Sequence, residues 1–249
     1  MNYLKRLRLK KLIFVLLRPR YWRAFFMNTY SSLEHYSVLK SLKEKKINFI
    51  VDVGANKGQF SLMANYFFPE AKIFAFEPLK QPALTFKNIF LNNKKIELIQ
   101  FGISSYKAEK TIYETNKNDS SSFLSPNQLN KKYFSIRSKQ KYKVPTITLN
   151  DWVSDYKIYI NKKNSLLKID VQGFELEVLS GANIVLNKFG YLIVELSSQI
   201  LYDNQPKAES IIDFLVSNNF YLKKIYNKVF DNSDRLIQAD YLFKNEKID

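Results

Sequence analysis

Ile47-Asn48-Phe49-Ile50-Val51-Asp52-Val53-Gly54-Ala55-Asn56-Lys57-Gly58 is the stretch whose reading decides the fold. Ile47 to Val53 is an apolar run rich in β-branched residues, and it closes on Asp52-Val53-Gly54. From Gly58 onward Phe60, Met63, Ala64 and Phe67 recur at i, i+3, i+4 and i+7, the signature of an amphipathic helix, which Pro69 ends. A buried strand, a tight glycine turn and a helix, in that order, is how open α/β sheets build nucleotide sites. The glycines allow close approach of the backbone to a ligand, and the helix start offers unpaired N–H groups. The pattern here is Asp52-x-Gly54-x-x-x-Gly58 rather than the dinucleotide spacing. A second acid, Glu77, closes the next apolar run, Ile73 to Phe76. A carboxylate there can accept hydrogen bonds from both hydroxyls of a ribose. Alone, Glu77 would be read as a solvated strand-end carboxylate; together the two features point to a nucleoside cofactor.

Outward from this turn the chain alternates strands and helices. Strands are expected at 48–53, 72–76, 96–101, 166–171, 191–196, 220–226 and 238–243. Helices are expected over 21–46 (Leu33, Tyr36, Leu39 and Leu42 on one side), from Gly58, from Pro82 to Leu91, after Gly173 with Leu176, Leu179, Ala182 and Leu186, and from Pro206 with Ala208, Ile211, Ile212, Leu215 and Val216. Thr148 reads as a helix N-cap. Asp231-Asn232-Ser233-Asp234 reads as the turn of an antiparallel hairpin. Residues 104–148 make a long connector with alternating segments at Lys110–Glu114 and Tyr142–Ile147, and long connectors tend to carry function.

The 249 residues carry a formal charge of +16 and no cysteine, which excludes disulfides, thiolate metal sites and cysteine nucleophiles. Half of that charge sits in the first 23 residues, on Lys5, Arg6, Arg8, Lys10, Lys11, Arg18, Arg20 and Arg23. The apolar run Leu12 to Leu17 is too short to span a bilayer, which takes roughly 20 residues. No small-residue cleavage site follows it, so it does not read as a signal peptide. The leader reads either as a helix on the protein's own surface with a solvated basic face, or as peripheral contact with an anionic membrane. The domain reading is a basic helical extension over 1–46 and one larger domain over 47–249.

At the fourth strand the sequence resembles a known family. Leu167-Lys168-Ile169-Asp170-Val171-Gln172-Gly173-Phe174-Glu175-Leu176-Glu177-Val178-Leu179-Ser180-Gly181-Ala182 is similar to the signature of FkbM-type methyltransferases, which depend on S-adenosylmethionine (SAM). Asp52 to Phe60, Phe76-Glu77-Pro78, Asp119-Ser120-Ser121-Ser122, Val194-Glu195 and Gln238 to Phe243 follow the family order, and Ser32-Leu33-Glu34-His35 resembles an element just before the first strand. Gln172 stands where many members carry Glu. The resemblance implies an α/β fold: a doubly wound, seven-stranded Rossmann-like sheet whose last strand inserts antiparallel beside the fifth, with an N-terminal helical extension. It implies SAM on Asp52, Gly54, Ala55, Asn56, Gly58, Glu77, Pro78 and Ile103, with the 104–148 insert facing the acceptor.

O-methylation requires the acceptor oxygen to be held in line with the methyl carbon and relieved of its proton. Asp170 is the first candidate for base or acceptor anchor, Glu195 the second; a structural carboxylate capping a nearby loop or helix is an equal reading for Asp170 and the stronger one for Glu195. His35, the one histidine, has the side chain best tuned to neutral pH, although a lone histidine is usually a packing residue. A divalent metal such as Mg²⁺ on these carboxylates is an alternative that no tight acidic cluster supports; the site is read as metal-free. The leading expectation is a cytoplasmic O-methyltransferase acting on a sugar hydroxyl of a surface glycan or its precursor, near the inner membrane face. The alternatives are a nucleic-acid methyltransferase, which the charge suggests but no motif for a flipped base supports, and a membrane-binding module with a vestigial SAM site.

Overall fold

The computed structural model describes residues 22–248. The leader, apart from Trp22 and Arg23, lies outside the described residues. Among those described, no helix is long and apolar enough to cross a membrane.

The strands are β1 (Phe49–Val53), β2 (Lys72–Phe76), β3 (Ile96–Ile99), β4 (Gly102–Ile103), β5 (Ala108–Thr115), β6 (Ser138–Ile147), β7 (Ser165–Ile169), β8 (Tyr191–Ser197), β9 (Phe220–Phe230) and β10 (Leu236–Asn245). Seven form one sheet in the order β3-β2-β1-β7-β8-β10-β9. The first five of these pair in parallel, and β10 lies antiparallel between β8 and β9. This is the doubly wound sheet with an inserted antiparallel strand that the sequence leads one to expect. Alternation along β1 and β7 divides the apolar side chains. Val51, Val53, Leu167 and Ile169 enter one core with Phe74, Phe76 and Trp152. Ile50 and Leu166 enter the other with Leu62, Met63 and Phe86. A sheet buried on both faces explains why its central strands are apolar throughout.

The helices are α1 (Trp22–Phe26), α2 (Tyr36–Ser41), α3 (Gln59–Phe67), α4 (Lys80–Ile89), α5 (Gln128–Phe134), α6 (Leu149–Asp155), α7 (Glu175–Ser180) and α8 (Ala208–Ser217). The continuous helix expected over 21–46 is instead α1, α2 and two 3₁₀ turns at Leu33–His35 and Lys43–Lys45. Asn28 and Lys46 take positive φ, and Thr29, Ser31 and Ser32 are buried, so polar backbone turns interrupt the stripe. Tyr36 faces solvent while Leu39 and Leu42 are fully buried. The helix after Gly173 is also shorter than its apolar spacing suggests: Ala182 and Leu186 follow α7 in turns but remain in the core. Thr148 caps α6, its hydroxyl accepting from Asp151 N at 2.9 Å.

The 104–148 insert is ordered by its own three-stranded sheet, β4-β6-β5, with β5 and β6 antiparallel. Ser122 fastens it to the main sheet, donating from Oγ to Gln172 O at 2.7 Å. Near the other end of the insert, Gly181 lies so close to Ser104 that a Cβ there would stand 2.0 Å from its carbonyl oxygen. Gly181 has an ordinary helical φ, so Gly181→Ala isolates this packing contact. We expect it to lower unfolding stability by about 3 kcal/mol, the upper range for overpacking, measured by urea denaturation; a loss under half a unit would mean the insert is free to shift.

Candidate functional site

Strand register builds the site. Val53 of β1 is level with Phe76 of β2 and with Ile169 of β7, so Gly54, Glu77 and Asp170 leave the sheet side by side at its carboxyl edge. Ile169 is level with Val194, and Glu195 pairs with Asp240 of β10. Asp170, Glu195 and Asp240 therefore form a row of three acids across adjacent strands. A cavity of about 420 Å³ opens over this edge.

One end of the cavity belongs to the glycine turn. Gly54 has φ 79°, and a Cβ there would stand 1.9 Å from Asp170 O, so no other residue fits. Ala55, Asn56, Pro78 and Ile103 line this end. Glu77 is buried, its Oε2 accepting from Asn56 N at 3.0 Å and its Oε1 from Leu79 N at 2.8 Å. Burial pushes its carboxyl up to about 7, against the pull of those two N–H groups and of Lys168. Each carboxylate oxygen keeps a second lone pair for a ligand hydroxyl. Asn56 has a buried Oδ1 with no hydrogen-bond partner. A nucleoside cofactor fits these features: close backbone, a carboxylate at the ribose position and an unsatisfied amide oxygen.

Asp52 and Gly58 do not line the cavity. Asp52 is fully buried beneath it, accepting from Ser61 Oγ at 2.8 Å and facing Lys168 Nζ at 3.2 Å. Gly58, with φ 92°, starts α3 where a Cβ would meet Phe90 at 2.6 Å. Both shape the turn; neither is presented to a ligand.

Lys168 is the feature the sequence reading passed over. Its ammonium is 3% exposed and lies 3.2 Å from Asp52 Oδ1, 3.4 Å from Asp170 Oδ2 and 3.2 Å from Gly54 O. Burial pulls its pKa down, but the two aspartates outweigh that and hold it above its ordinary value. Burial likewise raises Asp170, and Lys168, the Gln172 amide and His35 reverse it, leaving Asp170 below the usual carboxylate range. Glu195 goes the other way: burial, then Asp170, Asp240 and Glu175, push it well above its ordinary value. Two neighbouring acids are thus shifted in opposite directions. Gln172, in left-handed backbone at φ 59°, reaches between them, donating to Asp170 Oδ1 at 2.8 Å and Glu195 Oε2 at 2.6 Å.

His35 lines the cavity with both ring nitrogens engaged, Nδ1 with Ser32 Oγ and Nε2 with Asp240 Oδ2 at 3.2 Å. Asn227 also donates to Asp240. Asp119, Ser120, Ser121 and Ser122 line the insert side. Among the described residues no group of three or more His, Asp or Glu is arranged to hold a metal ion.

A nucleotide-type turn opening on one cavity with an ionised carboxylate defines a class, the α/β group-transfer enzymes with a nucleoside cofactor. The comparisons narrow it. The model of the methyltransferase FkbM domain matches residues 52–222. The chain belongs to the FkbM methyltransferase family. It is 27% identical over 225 residues to 2-O-methyltransferase NoeI of Sinorhizobium fredii, covering 88% of each chain. It is 33% identical over 159 residues to methyltransferase sdnD of Sordaria araneosa, covering 54% of this chain and 60% of that one. Among solved structures, magnesium protoporphyrin IX methyltransferase of Synechocystis PCC 6803 aligns with a TM-score of 0.46 at 10% identity, over 86% of this chain and 80% of that one.

Lys168→Met leaves Asp52 buried without its counter-ion and removes the cation beside Asp170. Breaking a buried pair from one side typically costs about 3–5 kcal/mol. We expect a loss of that size in chemical denaturation, and Asp52→Asn,Lys168→Met to recover most of it.

Proposed function

We propose that this chain transfers the methyl group of SAM to a hydroxyl oxygen of a sugar, in a glycan or glycan precursor. The observation that carries the reading is the single cavity in which Glu77 and the glycine turn face Asp170, an aspartate kept ionised by a buried lysine. The 2-O-methyltransferase among the relatives supports an oxygen acceptor.

When bound, SAM supplies an electrophilic methyl carbon on a sulfonium, so what the protein must provide is orientation and a place for a proton. Gly54, Ala55 and Asn56 offer backbone and amide groups to the cofactor's polar tail, and Glu77 accepts from the ribose hydroxyls. Asp170 accepts the hydrogen bond of the acceptor hydroxyl and takes its proton as the methyl group passes from sulfur to that oxygen. Its lowered pKa makes it a better anchor than base in the resting state. Glu195, pushed up by burial and by its acidic neighbours, accepts from Gln172 and Gln238 and holds the Gln172 amide beside Asp170. His35, tied at both nitrogens, orients Asp240 and the α2 side of the cavity. The reading needs no metal. The basic leader is read as a tether to an anionic membrane surface on the cytoplasmic side.

Calorimetric titration of SAM into wild type and Glu77→Ala tests the cofactor; micromolar binding that collapses in the variant is the expected result. Because Glu77 titrates near 7 and receives ribose hydroxyls best as a carboxylate, affinity should fall with acidification, about tenfold from pH 8 to pH 6. Glu77→Gln should bind weakly and lose that dependence. A flat wild-type profile would remove Glu77 from the ribose.

Asp170→Asn should keep SAM affinity within a few fold while lowering methyl transfer to glycan acceptors by about 10²–10⁴, the usual span for a positioned acid or base. Rates with and without added Mg²⁺ should agree. Equal activity of the variant would relocate the proton acceptor.

A further inference from the structure

Asn130 belongs to α5, in the insert, and is 1% exposed. It lines the same cavity as Asp170. Its backbone N–H is accounted for by the cap residue, donating to Asn127 Oδ1 at 3.2 Å. Its side chain is not: neither Oδ1 nor Nδ2 has a hydrogen-bond partner of good geometry. The Tyr202 oxygen is within reach of the Asn130 N–H₂ as an acceptor, a contact short of good geometry, and the Oδ1 end has nothing. That hydroxyl is already engaged with Ser120 O at 3.0 Å and Gln172 Oε1 at 3.0 Å. A buried amide whose carbonyl end has no partner is rare in folded proteins, because that end was taken from water and given nothing in return.

The position of the amide shows what it can meet. Tyr202 links it to Gln172, and Gln172 links to Asp170 and Glu195. Asn130 therefore lies on the acceptor side, past the carboxylates and away from the glycine turn. Phe134, four residues on in the same helix and packed on the Tyr202 cluster, lines the cavity with it, an apolar surface of the kind that covers the C–H face of a ring. A neutral amide beside an apolar wall suits a neutral hydroxyl, which both donates and accepts. It does not suit a phosphate or carboxylate, and the carboxylate of Asp170 nearby would oppose an anion.

We propose that Asn130 is a specificity residue that reads a second hydroxyl of the acceptor, distinct from the one held at Asp170. The proposal rests on the sugar-hydroxyl reading above and deepens it: the acceptor must present at least two hydroxyls, and an analogue lacking the second is rejected because the amide then stays unpaired. The amide is held unsatisfied in the free protein and is completed by the acceptor.

The test uses Asn130→Leu, which matches the side chain in size and removes both polar ends, and Asn130→Ala should Leu not fit. Three readouts are taken on the full chain: melting temperature without ligand, affinity for S-adenosylhomocysteine, and methyl transfer to the methyl glycosides of fucose, rhamnose, glucose and galactose and their monodeoxy analogues. The expected result is a melting temperature equal to or above wild type, unchanged cofactor affinity, and a kcat/KM lowered about 10- to 100-fold, mainly through KM, for any glycoside that wild type methylates. One monodeoxy analogue should be poor for wild type and no worse for the variant than its parent sugar. A melting temperature several degrees lower would show that the amide is satisfied within the fold and overturn the proposal, as would unchanged KM values with retained discrimination against every deoxy analogue. If wild type methylates none of the glycosides while binding the cofactor, the sugar reading fails; the melting comparison then still decides whether the amide is held unpaired.

Discussion

The ammonium of Lys168 is the point on which the rest of the site depends. It sits inside the sheet, directly opposite Asp52 on the neighbouring strand, and reaches three elements at once: Asp52 in β1, the carbonyl of Gly54 in the glycine turn and Asp170 beyond β7. A buried cation costs several kcal/mol in lost hydration unless paired and hydrogen-bonded, and breaks even at best when it is. Two aspartates and one carbonyl meet that requirement. The same contacts fix the turn relative to Asp170, so that the wall of the cofactor end and the candidate anchor for the acceptor cannot move independently. Replacing this group by packed apolar residues would lose the charge that does most to keep Asp170 ionised.

From that charge follows the division of labour among the acids. Asp170, Glu195 and Asp240 are brought level by β-sheet register, which has no regard for like charge. Lys168 can serve only one of them well. Asp170 takes it and is held low; Glu195, two steps from the cation and flanked by the other acids, is pushed up. Asp240 is raised by burial, with His35 and Asn227 drawing it back. The Gln172 amide separates the first pair without adding charge. A carboxylate in its place would put a further negative group between two acids and would have to be protonated to make the same contacts, so the glutamine makes the arrangement independent of one more titration.

The fold was legible because its central strands are apolar on both faces and each ends in a residue with a distinct signature: Gly54, Glu77, Asp170. The inserted β10 was legible from the family order and from the turn at Asp231–Asp234. Lys168 had a signal that was available and not used, since a lysine inside Leu166-Leu167-Lys168-Ile169 must find a buried partner, and Asp52 is the acid at the matching place in β1. Asp240 offered the same kind of signal, an acid in an apolar strand. Asn227 did not. It faces Asp240 because β9 bulges there: Val229 pairs with Gln238 and Tyr226 with Asp240, leaving Asn227 in left-handed backbone at φ 50°. Asn130 was equally hidden, because its burial depends on how the insert docks, and no local pattern encodes that. The break in the N-terminal helix was missed for a related reason: Leu33 and Tyr36 keep helical spacing with Leu39 and Leu42, but the backbone between α1 and α2 is claimed by buried polar turns.

How the insert docks is itself a constraint on chemistry. Its polar loop is bonded to the segment that follows β7, through Ser122 to the carbonyls of Val171 and Gln172 and through Ser120 to Tyr202, which in turn holds Gln172. These are the residues adjoining Asp170. An insert that carried the acceptor wall but hung from its own three-stranded sheet alone would let the acceptor shift against the carboxylate by the play of that sheet, and a displacement of one ångström is enough to lower a positioned reaction by about a hundredfold. Fastening the loop to the Asp170 segment removes that play: on the proposed reading, the acceptor wall is referenced to the residue beside which the acceptor oxygen stands. On that same reading, the sequence between 104 and 148 can then vary with the molecule recognised while the distance from wall to Asp170 stays set by backbone carbonyls, which every sequence supplies.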